Sequence, residues 1–244
     1  MSLNHKKYLF ILLCFYLLLM AYGCAPLKPY RAHPEFEMLA KNIKTTGLLS
    51  PDVKIYEFTA GGLRELRDDW CAKGKENVQG ALIQCFREKP LEIKPITIDK
   101  EMEEEMEDIY ALYRAVSISI NIHTYGDFKF PEKTKKFDYS IGPIENILQQ
   151  YGVDTLIFVY GFDEISTGGR KALQTIGFIA SALTGVVAMP RSGITVVNVA
   201  VVDPSGTILW YNLKGSQGGY DLRDPQSAIN LIKTVLSDYP GVMK

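Results

Sequence analysis

The stretch 153–162 constrains this chain more than any other. It reads VDTLIFVYGF and carries a single charge, Asp154. A strand with no polar face cannot have water on either side. It must lie inside a sheet with helices over both faces. Two more strands follow at 194–202 and 207–213, around Asp203-Pro204-Ser205-Gly206. Asp at the first position, Pro at the second and Gly at the fourth suit a type I turn, so this pair reads as a β-hairpin.

The helices needed to cover such a sheet are legible from their spacing. Met102, Met106, Ile109, Tyr113, Val116 and Ile120 recur on one face after an acidic start, which favours the positive end of a helix dipole. Leu63, Leu66, Trp70, Val78, Ala81, Leu82, Cys85 and Phe86 mark a long helix entered from Gly61-Gly62. Shorter patterns run over 143–151, closed by Gly152, and from Asp224-Pro225 to Tyr239-Pro240. Residues 53–58 and 91–98 read as strands, and 35–46 as a short helix ended by Gly47. Residues 123–141 are polar and basic and read as a loop. The fold class expected is α/β, in the broad α+β sense: a mixed sheet of three to five strands covered by helices.

The first 24 residues read as an export address. Lys6 and Lys7 precede an uncharged apolar run from Tyr8 to Tyr22. At roughly 15 residues it is short of the ~20 needed to span a bilayer. A basic start, a short apolar core and then small residues are the layout of a cleaved signal. An uncleaved anchor and an ordinary secretory signal are the alternatives. Ala21-Tyr22-Gly23-Cys24 resembles the lipobox of bacterial lipoprotein signal peptides, with Ala where Leu is usual and Tyr where a small residue is usual. The resemblance implies cleavage after Gly23 and acylation, palmitate included, on Cys24. With Ala25 next, it implies delivery to the outer membrane, the domain facing the periplasm. The organisation expected is a signal peptide over 1–23, a lipid-anchored tether and short helix over 24–50, and an α/β domain over 51–240.

A second resemblance lies in the hairpin. The block 153–161 followed by 196–210, VVNVAVVDPSGTILW, is similar to a pattern in several periplasmic lipoproteins. These include the curli-secretion channel lipoprotein, the N-terminal domain of the TolB translocation protein and lipoproteins that activate cell-wall synthases. With the segment between its two parts it spans about a quarter of the chain. It implies an anticodon-binding-like sandwich and a non-enzymatic envelope role in assembly, secretion or maintenance through protein contacts. Residues 53–62, VKIYEFTAGG, resemble a segment of uncharacterised bacterial lipoproteins.

Chemistry-bearing constellations are sparse. The formal net charge is −1, which gives no basic surplus to release counterions, so nucleic acid is not an expected partner. There is no H-E-x-x-H, C-x-x-C or G-x-S-x-G spacing, so no metal, cofactor or catalytic residue is expected, and an envelope hydrolase is the weakest reading. Glu101, Glu103, Glu104, Glu105, Glu107 and Asp108 would splay from a straight helix and cannot wrap a calcium ion.

Two glycine turns are candidates for anion binding or simple helix starts: Gly61 and Gly62, and Ser166-Thr167-Gly168-Gly169-Arg170. Cys71 and Cys85 stand 14 residues apart in one expected helix, about 21 Å along its axis, so two buried free thiols are expected unless the helix breaks at Gly74. The uncharged insert 172–190, with Gly177, Ser181 and Gly185 at four-residue spacing, leaves three readings: a core helix or helical hairpin, a self-association surface, or a lipid-contacting wall of a ring-forming pore or secretion channel. The partners expected are therefore the membrane, through the lipid, and an envelope protein or a second copy.

Overall fold

In the computed structural model, which describes residues 30–87, 91–169, 171 and 193–239, the apolar stretch becomes a long central strand of an α/β fold. The sheet is mixed and has eight strands, more than the three to five expected. In chain order the elements are β1 (Arg31–Ala32), α1 (Phe36–Leu39), β2 (Thr45–Leu48), β3 (Asp52–Phe58), β4 (Arg64–Leu66), α2 (Asp68–Phe86), β5 (Glu92–Pro95), α3 (Glu103–Ile120), α4 (Pro131–Lys135), α5 (Glu145–Tyr151), β6 (Thr155–Ser166), β7 (Ile194–Val202), β8 (Ile208–Gln217) and α6 (Pro225–Leu236). The extra strands come from places read otherwise. Residues 31–32 and 45–48, expected in a tether and a short helix ahead of the domain, are β1 and β2 of the same sheet. Residues 64–66, expected in the long helix, are β4.

One side of β6 carries the antiparallel run β7, β8, β1. The other side carries two parallel strands end to end. β2 pairs with its first residues and β3 with its last. Leu48 lies opposite Ile157 and Asp52 opposite Tyr160, so Leu49, Ser50 and Pro51 face only two residues of β6. The extra residue acts as a bulge, and Pro51 has no N–H to give a ladder.

The two faces of β6 are both buried, as the unbroken apolar run requires. Ile157 and Val159 face one core with Val197, Val199 and Val201, under Val78, Leu82 and Phe86 of α2 and Leu231, Ile232 and Val235 of α6. Leu156 and Phe158 face a second core with Ala200, Val202 and Tyr211, under Met106, Ile109 and Tyr113 of α3 and Ile147 and Leu148 of α5. The hairpin turn forms as read: Gly206 N–H donates to Asp203 O at 2.9 Å, and Thr207 N–H to Asp203 Oδ1 at 2.9 Å.

Helix α2 runs unbroken through Gly74. A Cβ there would lie 2.6 Å from Ile55 Cδ1, so the glycine lets the helix sit close on β3. Cys71 and Cys85, held apart along the helix, do not bridge to each other. Both are half-buried rather than fully buried.

Candidate functional site

The bulge splits the outer edge of the sheet. β5 pairs with β2, and Ile96 N–H continues that ladder to Leu48 O at 2.9 Å. β4 pairs only with Tyr56–Phe58. Between them no described strand pairs with the outer edge of β3 over residues 52–54. Ile55 directs its N–H to Cys71 Sγ at 3.1 Å, and its carbonyl accepts from Arg67 N–H at 3.0 Å. By the two-residue repeat of a strand, Val53 turns its N–H and C=O the same way.

That edge forms the floor of a cleft of about 1000 Å³. One wall is α2, with Cys71, Ala72, Lys75 and Gln79; the other is α3, with Glu107, Tyr110 and Arg114. Asp52 sits at the floor between Lys54 Nζ and Arg114 Nη1, each at 3.5 Å. Tyr110 donates its hydroxyl to Ser50 O at 3.2 Å. Burial, and then the Asp52 charge, raise its pKa, so the phenol stays a protonated donor. Burial and Asp52 act the same way on Tyr160. The Cys71 thiol is engaged on both sides by Ile55, accepting from its N–H and donating to its carbonyl at 3.7 Å. The floor thus offers main-chain groups and balanced charge, the chemistry that holds an extended segment.

The sequence candidates fall elsewhere. Gly61 and Gly62 do not open a helix. They form the β3–β4 turn, closed by Gly62 N–H to Thr59 O at 3.0 Å, with Gly62 at φ 85°. A glycine suits that left-handed position. Ser166 ends β6, its hydroxyl buried with no hydrogen-bond partner among the described residues. Thr167 N–H donates to Phe58 O at 3.0 Å, and residues 168, 169 and 171 are helical, so Gly168 and Gly169 do stand at a helix start. A Cβ on Gly169 would lie 3.7 Å from that of Ala60, so the fold brings the two glycine turns together at one end of the sheet. Gly23, Cys24, Arg170 and the insert 172–190 lie outside the described residues.

The sequence reading missed the cleft, although Pro51 directly before a strand was a signal that the ladder is interrupted there. It also missed Asp163, an acid inside the central strand. Asp163 is 1% exposed and accepts from Thr195 Oγ1 at 2.7 Å and from Leu222 N–H at 2.9 Å. Burial raises its pKa to about 6 against those two hydrogen bonds. Among the described residues, no group of three or more His, Cys, Asp or Glu could hold a metal ion, and no helix is long and apolar enough to cross a membrane.

Comparison with protein families, curated proteins and solved structures gives no match. The functional reading therefore stands on the site and the sequence.

Proposed function

We propose that this chain is an outer-membrane lipoprotein, cleaved after Gly23 and anchored through acyl chains on Cys24. Its domain faces the periplasm and works by protein contact in envelope assembly, secretion or maintenance, without turning over a substrate. The anticodon-binding-like sandwich implied by the hairpin's resemblance belongs to this reading.

The observation that carries the contact function is the unpaired edge of β3 on the floor of the cleft. An exposed strand edge is a template for another strand, and proteins normally cover or blunt it. Here two helices flank it and leave it open, which supports recognition of an extended segment of a protein partner by strand addition.

Two experiments test the reading. Metabolic labelling with palmitate is expected to mark the protein and to be lost in Cys24→Ala. A photoreactive residue at Ala72, exposed on the cleft wall, is expected to give a discrete protein adduct in cells, whereas one at the exposed Gln226 of α6 gives none. A turnover reaction abolished by a single substitution in the cleft would overturn the contact reading.

A further inference from the structure

We infer that the tip formed by residues 126–136 docks into the lipid interface of the membrane that carries the anchor; this rests on the assignment of Cys24 as the acylated residue. The first observation is where apolar surface is exposed. Five of the eight large hydrophobic side chains exposed on the described surface fall between residues 112 and 130, on α3 and the segment after it: Leu112, Ile118, Ile122, Phe128 and Phe130. Phe128 is 77% exposed and Phe130 53%. Single exposed apolar residues are ordinary; two exposed phenylalanines flanking one lysine at a tip are a candidate contact.

The tip is built rather than loose. A π-helical turn over Asn121–Tyr125 ends α3, and Gly126 N–H donates to Asn121 O at 2.7 Å. Phe130 N–H donates to His123 O at 3.0 Å, the His123 ring stacks on the Phe130 ring at 3.9 Å, and His123 Nδ1 lies 2.9 Å from Phe128 O. These contacts fix the backbone of the tip that carries both exposed rings.

Its chemistry suits a bilayer interface. Phe128 and Phe130 flank Lys129, and α4 adds Lys133 and Lys135. Long lysine stems lie along apolar surface while the ammonium stays in water. Lys133 and Lys136 pair with Asp138, and Lys135 lies near Glu132. The positive surplus is therefore small, and the aromatic side chains supply the affinity.

Position selects the membrane as the occupant. The described residues begin at Tyr30, and Tyr30, Arg31 and His33 form one wall of a cleft whose other wall is Thr134, Lys135 and Phe137. The Arg31 guanidinium lies 5.6 Å from the centre of the Tyr125 ring. Only residues 25–29 separate Cys24 from Tyr30, so full extension gives at most about 20 Å. A domain of this size is about 40 Å across. A tether shorter than the domain keeps the face around Tyr30, and with it the tip, against the bilayer.

The test is tryptophan depth measurement on the full lipidated protein in vesicles of phosphatidylethanolamine and phosphatidylglycerol. Phe128→Trp replaces an exposed ring and leaves the core untouched. Leu63→Trp, at a position 67% exposed in the β3–β4 turn on the opposite edge of the sheet, is the control. After subtraction of the signal from Trp70 and Trp210, Trp at 128 is expected to emit at shorter wavelength. Lipids brominated in their acyl chains are expected to quench it, in high salt as in low, while Trp at 63 stays water-like. Water-like emission at 128 in protein whose Cys24 carries lipid by mass spectrometry would overturn the docking and leave the anchor standing. A photoreactive residue at 128 that yields a protein adduct in cells would replace the bilayer by a protein partner. A chain whose Cys24 carries no lipid would overturn the anchor, and the docking with it.

Discussion

Asp163→Asn is expected to stabilise the protein at neutral pH, and only there. Asp163 lies inside the central strand with almost no solvent contact, and burial raises its pKa to about 6 from the ordinary 3.8. Between those values the folded protein holds a proton that the unfolded chain has released. Stability therefore falls as pH rises through about 4 to 6. A shift of roughly two pH units is worth about 3 kcal/mol, present in full below pH 4 and lost above 6.

The site also has room for the neutral acid to hydrogen-bond. Protonated on Oδ1, Asp163 donates to Thr195 Oγ1. The threonine is then free to donate to Tyr220 O, 3.1 Å away, while Leu222 N–H still reaches Oδ2. Asparagine reproduces that pattern, with its NH₂ toward Thr195 and its oxygen toward Leu222. Urea unfolding of both proteins, followed at pH 4 and pH 7, measures the difference. Near-equal stability is expected at pH 4, with the variant ahead by about 3 kcal/mol at pH 7. A variant less stable at both pH values, or a difference that does not change with pH, would refute the argument from burial.

Other substitutions probe the fold locally, each read by the same unfolding measurement. Gly80 is exposed inside α2 with nothing within 4 Å of its missing Cβ, so Gly80→Ala should stabilise by about 1 kcal/mol. Gly206→Ala should cost more than about 2 kcal/mol, because its φ is +79° and a Cβ would lie 1.7 Å from Gly142 O. Tyr113→Phe removes the hydroxyl that donates to Asn198 Oδ1 at 2.5 Å in a buried site, an expected loss of about 1–3 kcal/mol. Cys71 and Cys85 should both react as thiols after unfolding without reductant; failure of either to react would mean a covalent modification of that residue.

What the sequence made legible was whatever repeats locally. The apolar run of β6, the turn at 203–206 and the stripes of α3 and α6 depend on near neighbours, and each element forms, although β6 continues past the apolar run to Ser166 and α6 stops at Leu236, short of Tyr239. β2 was hidden because its partners, β5 and β6, lie far along the chain. A four-residue strand has no period long enough to read. The glycines misled for a related reason. The conformational freedom of glycine makes Gly47 read as a helix end and Gly74 as a weak point. Both are used for size: a Cβ at Gly47 would lie 2.4 Å from Ile96 Cδ1, and one at Gly74 2.6 Å from Ile55 Cδ1. Close approach between elements cannot be seen until the elements are assembled. The same holds for the cleft, since Asp52 and Arg114 meet only because β3 and α3 pack at one edge of the sheet. Leu63 and Leu66 show the converse. They continue an apolar helical pattern, yet the β3–β4 turn and β4 carry them into solvent, 67% and 47% exposed. With β4 confined to residues 64–66, Arg67 N–H carries the ladder one step further, to Ile55 O, and the open edge on which the proposed contact function rests lies beyond it, at residues 52–54.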